Sequence, residues 1–250
     1  MDEALEAEFD TVAAWTADIA IELGQDHFLP AACRGSGSPA SLRWFLDRLG
    51  ITAQDRMLDC GAGVGGPGAF AQAEVGVTPL LTDPAAGACR AARRLFGLPV
   101  VQAASELPFA AASFDVAWSL GVLCTVPDQG GLLAELRRVL TPGGRLGLLV
   151  FVARSLPLSD QPSGNNFPTE DGLRTLLAEA GLRVEDSATA ADFQAAPTHW
   201  QERADAVDAE LDRRHHDNPV WQTAVAQSEL MGRLLTDGEL AGTMIVARAV

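Results

Sequence analysis

Residues 57–68 read M-L-D-C-G-A-G-V-G-G-P-G, and this stretch decides how the rest of the chain is read. A short apolar run ends in Asp59, and Gly61, Gly63, Gly65 and Gly66 follow within six residues. Glycine turns tightly at positive φ and lets a ligand approach bare backbone. Pro67 has no amide hydrogen and suits the first turn of a helix, so the order predicts strand, glycine-rich turn and helix start. Free N–H groups and the helix dipole then face whatever lies above the turn.

The glycine pattern by itself leaves two cofactors open. Gly61, Gly63 and Gly66 fit the G-x-G-x-x-G fingerprint of dinucleotide-binding folds, with Asp83 about 20 residues on, where an acid holds ribose hydroxyls. Asp59, Gly61, Gly63 and Gly65 equally fit D-x-G-x-G-x-G, the nucleotide loop of class I S-adenosylmethionine (SAM) methyltransferases. A tight turn with no ligand is a poor account of so many glycines after one strand.

Composition narrows the partners. A chain of 250 residues suits one domain, and 48% hydrophobic residues allow a sizeable core. The net charge of −15 argues against nucleic acid, whose phosphates are bound largely by Lys and Arg, and against anionic membrane surfaces. Asp2, Glu3, Glu6, Glu8 and Asp10 open the chain, the opposite of a basic signal-peptide start. No apolar run approaches the ~18 residues of a membrane span, so a cytoplasmic protein is expected. Cys33, Cys60, Cys89 and Cys124 are widely spaced with no zinc-spaced partner, which predicts reduced buried thiols and no metal site. His215 and His216 are neighbours that diverge on a helix, suggesting a solvated surface; tyrosine is absent.

Leu5, Phe9, Val12, Thr16, Ile19 and Leu23 recur at helical spacing before Gly24, and residues 25–37 read as loop. Ser38–Pro39 opens a helix with Leu42, Phe45, Leu46 and Leu49 inward, closed by Gly50. From Arg56, strands and helices alternate, implying a mostly parallel sheet covered on both faces. Strands are expected at 56–60, 78–82, 100–102, 116–119, 145–152, 182–185 and 243–249. Helices fall at 67–75, 86–96 and 131–140, and another starts after the Thr169 cap. A Pro142–Gly143–Gly144 turn leads into the fifth strand. Before the last strand lies an insertion with two helices. In the first, Thr198-x-x-Gln201 is a capping box and Trp200, Ala204, Val207 and Leu211 face inward; the second starts at Asn218–Pro219 with Trp221, Val225, Ser228 and Leu235 on one side.

Residues 56–152 resemble the class I SAM-dependent methyltransferases, particularly the small-molecule branch. Beside the glycine loop stand L-L-T-D-P at 80–84, E-L-P-F at 106–109, S-F-D-V-A-W-S at 113–119 and L-R-R-V-L-T-P-G-G-R-L at 136–146, in the family's order and spacing. Nicotinamide enzymes share the first glycines but lack this later set. The resemblance implies an α/β fold, a doubly wound, mostly parallel seven-stranded sheet. Around it would sit a helical N-terminal cap (1–55), a SAM-binding core (56–185), a helical lid insertion (186–238) and a last strand (239–250).

The resemblance also implies a site. Asp59, Gly61, Ala62, Gly63 and Gly65 would run beneath the methionine part and ribose. Asp83 would accept both ribose hydroxyls, and Pro84 and Leu107 would wall the adenine. Ser119 would lie near the methionine head group, and Arg34 could pair with the methionine carboxylate. Ala103 stands where family members place an adenine-reading acid, so the base falls to the backbone of Ala104 and Ser105 or the Ser105 hydroxyl. Cys124–Thr125 stands where many relatives place histidines.

Methyl transfer is an in-line displacement that needs chiefly alignment in a dry pocket, and a base only if the acceptor must lose a proton. His27, His199 and Cys124 are the candidates for contact with acceptor. The expected reaction moves a methyl group from SAM to a small-molecule acceptor, with S-adenosylhomocysteine as product, by a monomer or homodimer. Rival readings are a SAM-binding enzyme catalysing a non-methylating cyclisation or rearrangement, a non-catalytic partner subunit, and an NAD-dependent dehydrogenase.

Overall fold

The computed structural model describes residues 3–250, with side chains from residue 9 onward. The strands in chain order are β1 (Met57–Cys60), β2 (Leu80–Asp83), β3 (Val100–Gln102), β4 (Phe114–Leu120), β5 (Leu140–Ala153), β6 (Leu182–Thr189) and β7 (Leu240–Ala249). β1 is buried at every position, as a central strand covered on both faces must be. The sheet runs β3-β2-β1-β4-β5-β7-β6, parallel from β3 to β5, with β7 antiparallel to both its neighbours. The chain leaves β1 toward β2 and β3, then crosses back to β4. The crevice of such a sheet opens at the carboxyl ends of β1 and β4, where the two halves diverge.

The helices are α1 (Glu3–Leu23), α2 (Phe28–Ala32), α3 (Pro39–Leu49), α4 (Gly66–Val75), α5 (Ala86–Phe96), α6 (Gln129–Val139), α7 (Glu170–Glu179), α8 (Thr198–His215) and α9 (Pro219–Thr236). Leu42, Phe45, Leu49 and Phe70 of α3 and α4 pack with Met57, Val116 and Trp118 on one face of the sheet. Leu132, Leu136, Leu173 and Leu177 of α6 and α7 pack with Leu58, Leu146 and Leu148 on the other. Caps set the starts: Ser38 Oγ accepts from Ser41 N at 3.3 Å, Thr169 Oγ1 from Gly172 N at 3.2 Å, and Asn218 Oδ1 from Val220 N at 2.9 Å. Gly50, at φ 57°, closes α3.

Several elements differ from the sequence reading. On α1 the buried residues are Ala13, Thr16, Ala17, Ile19 and Ala20, whereas Phe9 and Leu23 are exposed. Ile19 and Thr16 lie inward as the spacing implies and Val12 packs against the same cluster, but alanines make up the rest of the face where α1 lies against α5. Leu5 falls outside the described side chains. Residues 25–37 are not simple loop: a 3₁₀ turn (Gln25–His27) runs into α2, where Pro30, Ala31 and Ala32 are buried. No capping box forms at α8; Thr198 is its first helical residue, Pro197 precedes it, and the Gln201 side chain turns to Asp205 at 2.7 Å. On α9, Leu234 is buried, while Ser228 and Leu235 face solvent. β5 begins at Leu140, which pairs with Phe114; Arg145 pairs with Val116, so 141–144 bulge out of the ladder with Gly143 at φ 75°.

α1, α2, α8 and α9 form a further layer. Ala17, Ile19 and Ala20 of α1, Ala31 of α2, Val207 and Leu211 of α8 and Trp221 of α9 share one cluster with Ala91 and Leu95 of α5. Near the other end of the layer, Leu230, Met231 and Leu234 of α9 meet Ala153 at the end of β5, together with Cys124 and Phe167. Among the described residues no helix is long and apolar enough to cross a membrane.

Candidate functional site

The turn after β1 is tied down by the end of β2: Gly61 N and Ala62 N both donate to Thr82 O, at 2.8 and 2.9 Å. Gly61 sits at φ 74° with Val122 so close that any Cβ would collide with it. Gly63, at φ 53°, faces open space, with no heavy atom within 4 Å of where a Cβ would stand. Only glycine gives both the turn and the bare surface here. Gly63 N donates to Asp83 Oδ2 at 2.8 Å, and Ala85 N donates to Asp83 Oδ1 at 3.0 Å. Asp83 thus stands at the carboxyl end of β2, clamped between the glycine turn and the start of α5. Each carboxylate oxygen keeps a further lone pair for a ligand hydroxyl. Burial pushes its pKa above the ordinary value; the two amides oppose this, and the nearby charge of Asp10 adds to it.

Beside Asp83, Gln102 Nε2 donates to Pro84 O at 2.9 Å and fixes that proline. Ala104 is exposed and Ser105 half-buried. Leu107 is buried, in one core cluster with Leu58 and Cys60, and so anchors the 104–109 loop to the sheet. Its amide donates to Glu135 Oε2 at 2.9 Å, while Arg138 donates to Leu107 O at 2.9 Å and Phe109 O at 2.7 Å. Glu135 and Arg138 therefore hold the 104–109 loop from α6. Arg138 lies within a motif legible in the sequence; its clamping role was not.

Asp59 lies beneath the turn, buried, with its carboxylate next to Gly68 and Trp118. Burial pushes its carboxyl up to about 7, and the Trp118 indole and Gly68 amide moderate that rise. Asp59 Oδ2 and Trp118 Nε1 nevertheless have no partner at hydrogen-bond distance. Asp59 is thus a support of the loop and not part of its open surface. Ser119 is also buried, its hydroxyl donating to Cys60 O at 2.9 Å across the β1–β4 divergence. Arg34 pairs with Asp208 of α8, and its Nε donates to Ala31 O at 3.1 Å, so its charge is committed within the helical layer.

The three candidates for acceptor chemistry do not converge. His27 is tied to its own turn, with Nδ1 3.3 Å from Gly24 O. His199 is exposed on the first turn of α8. Cys124 is sealed against Phe167 and Leu234, and burial pushes its thiol up to about 12. His215 is not merely solvated: it stacks on Trp15 with ring centroids 3.7 Å apart and planes 6° from parallel.

The helical layer closes on the nucleotide half at two glycines. A Cβ on Gly66 would run into the backbone of Ala32, and one on Gly87 into the backbone of Asp10. Asp10 Oδ1 accepts from Gly87 N, capping α5 from another helix, since Ala85 at its own N-cap offers no side-chain acceptor. In the sequence Asp10 stands out only as one of the acidic opening residues. A third approach lies at Gly121, where a Cβ would stand 2.9 Å from Gly35 O.

Residues 58–148 match the family model described as a methyltransferase domain. That span, about a third of the chain, carries a methyltransferase domain. The chain is 34% identical over 116 residues to methyltransferase GfsG of Streptomyces halstedii, covering 43% of this chain and 42% of that protein. It is 32% identical over 126 residues to the 27-O-demethylrifamycin SV methyltransferase of Amycolatopsis mediterranei, covering 50% and 42%. The matched stretch thus spans less than half of either relative. Among solved structures, the [4+2]-cyclase SpnF superposes with a TM-score of 0.68 at 20% identity over 86% of this chain and 83% of that one. A geranyl diphosphate methyltransferase in complex with SAM gives 0.62 at 18% identity over 85% of each chain. At these identities the structural likeness establishes the fold. Within the methyltransferase domain, the matched span contains the Gly61–Gly65 turn, Asp83, the 104–109 loop and its Glu135–Arg138 clamp.

Proposed function

We propose that this protein is a methyltransferase that binds SAM across the Gly61–Gly65 turn and Asp83 and transfers its methyl group to a small-molecule acceptor held under the helical layer. The observation that carries the reading is the pairing of Gly63, bare on its open side, with the Asp83 carboxylate at the end of β2. A nucleoside fits this donor set: the turn presents unsubstituted backbone, and the carboxylate has acceptor capacity left for adjacent hydroxyls.

SAM, when bound, supplies a methyl group already activated by its sulfonium. Asp83 would hold the ribose and the backbone at Ala104 and Ser105 would meet the base, while Gly61 and Gly63 would let the cofactor approach the turn. α1 and α2, seated at Gly87 and Gly66, exclude water from that side. The remaining task is to hold the acceptor atom in line, which is positional work. His27, His199 and Cys124 are each engaged or placed elsewhere, so the acceptor's nucleophile is expected to be one that needs no strong base from this chain.

Calorimetry with SAM, S-adenosylhomocysteine, NAD and NADP tests the cofactor. Binding of the first two alone is expected; heat from a dinucleotide with none from SAM would overturn the reading. Accumulation of S-adenosylhomocysteine with an acceptor separates methyl transfer from a rearrangement that leaves SAM intact.

A further inference from the structure

A cavity of about 530 Å³ opens between the 157–168 loop and α9, lined by Gln161, Ser163, Gln222, Thr223, Gln227 and Leu230 among others. Its place in the fold is defined at both walls. The loop leaves the carboxyl end of β5 and is pinned to the exit of β4 by Asn166 N, which donates to Cys124 O at 2.7 Å. α9 runs down to the start of β7, where Leu240 pairs with Ala153. The groove therefore lies over the β4–β5–β7 half of the sheet's carboxyl edge, and the glycine turn and Asp83 lie over the β1–β2 half.

The lining carries no ionisable side chain. It offers three primary amides and two hydroxyls, each able to donate and accept, beside the apolar surfaces of Pro219, Ala226 and Leu230. Such a wall has no charged partner to offer a carboxylate, a phosphate or an ammonium group. It suits a ligand with uncharged hydroxyls and carbonyls on an apolar frame. Gln227 adds a second observation: its side-chain oxygen is shut from solvent and has no hydrogen-bond donor in the fold. Buried polar atoms are ordinarily paired, and an unpaired one is costly. The terminal torsion of a glutamine is broad, so a modest rotation turns this amide to a ligand in the groove.

The geometry points to this groove as the acceptor subsite of the methyltransferase, selecting an uncharged, polyhydroxylated small molecule, with Gln227 as its specificity-determining residue. The assignment rests on the methyltransferase reading for the word acceptor; the binding class rests on the lining alone. Solved neighbours with the same fold are named for phosphorylated ligands such as phosphomonomethylethanolamine and geranyl diphosphate. The lining here provides no cation to pair with such a phosphate.

The test uses the full chain without cofactor, so that it does not depend on SAM binding, which is measured separately. The phenolic glucosides arbutin and salicin are compared with their 6-phosphate esters by hydrogen exchange over residues 157–168 and 219–230. Protection of both segments by a neutral glucoside and not by its phosphate supports the assignment. Equal or stronger protection by the phosphates, or none by either neutral glucoside, overturns it. In Gln227→Leu the neutral ligand is expected to bind at least tenfold more weakly with the melting temperature unchanged or raised, because an unpaired buried amide is removed. Unchanged ligand affinity in the folded variant overturns the role of Gln227, as does a fall in melting temperature that tracks the loss of binding. Groove protection with no SAM binding would sink the methyltransferase reading and leave the ligand class standing.

Discussion

Two aspartates two dozen residues apart show how placement separates similar side chains. Asp83 is clamped by two amides yet keeps acceptor capacity toward the open side of Gly63. If it takes ribose hydroxyls, charge-assisted bonds worth ~1.5–3 kcal/mol each are lost in Asp83→Ala. SAM affinity should then fall at least tenfold by calorimetry. Asp83→Asn should retain the fold and recover part of the affinity, and unchanged binding in either folded variant would make Asp83 a turn residue only. Asp59 is instead sealed under the turn, its carboxyl raised from an ordinary 3.8 to about 7. A proton held by the native state and not by the unfolded chain stabilises the fold; that contribution is complete below pH ~4 and lost as pH rises through about 7. The span corresponds to roughly 4 kcal/mol as an upper figure. Melting curves of wild type and Asp59→Asn should therefore converge at pH 4 and diverge toward pH 7, with the variant the more stable there. The comparison between the two isolates Asp59 from Asp83, which titrates in the same sense, and from His215, whose lowered pKa acts in the opposite sense. Parallel curves across that window would refute the buried-proton account. Both aspartates were legible in the sequence through their spacing from the glycines, but which one faces a ligand depends on strand register and burial, which spacing does not carry.

At the scale of elements, the alternating core was readable because each strand and helix there announces itself locally. α3 has its Ser38 cap, Pro39 and closing Gly50, and α5 runs over the residues its pattern implies. The helical layer was harder to read. α1 buries Ile19 and Thr16 as its spacing implies, but alanines fill the rest of that face and Phe9 and Leu23 at its ends are exposed, which apolar spacing alone does not foretell. The capping-box spacing at α8 was outcompeted by the turn at Pro197. Two glycines in the core record where that layer docks. Gly66 and Gly87 have ordinary helical backbone, so an added methyl brings steric conflict with Ala32 or Asp10 and no left-handed strain. Gly66→Ala and Gly87→Ala should each destabilise the protein by about 1–3 kcal/mol, the usual penalty of overpacking. Hydrogen exchange should quicken over α1 and α2 while β1, β4 and β5 stay protected. Gly97→Ala, where the added methyl meets nothing but φ is 67°, is the control: strain without undocking. If α1 and α2 exchange equally in all three variants, the docking account fails.

For the whole molecule, the question is whether residues 1–55 and 186–238 act as one cover. They are far apart in sequence, and each alone is a set of helices in need of a surface to bury against. In the fold they meet each other as well as the sheet. α1 packs with α8 and α9, Trp15 stacks on His215, and Arg214 reaches both Glu22 of α1 and Glu210 of its own helix. Arg34 to Asp208 joins the segment after α2 to α8 at a partly buried position, where burial lowers the Arg34 pKa and Asp208 opposes that fall. A single cover predicts coupling: loosening one segment must loosen the other. Asp208→Ala removes the partner of a desolvated guanidinium, and an unpaired charge of that kind disfavours the closed arrangement. Exchange should therefore quicken not only in α8 but also across residues 25–37, which the substitution does not touch in sequence. Adding SAM should slow both segments in wild type, and less so in the variant, because the ligand can stabilise only the state it binds better. His199→Ala, at an exposed site on the same helix, should leave exchange and turnover unchanged. Faster exchange confined to α8, with 25–37 indifferent to both the substitution and SAM, would mean that the two segments are separate packings on one core.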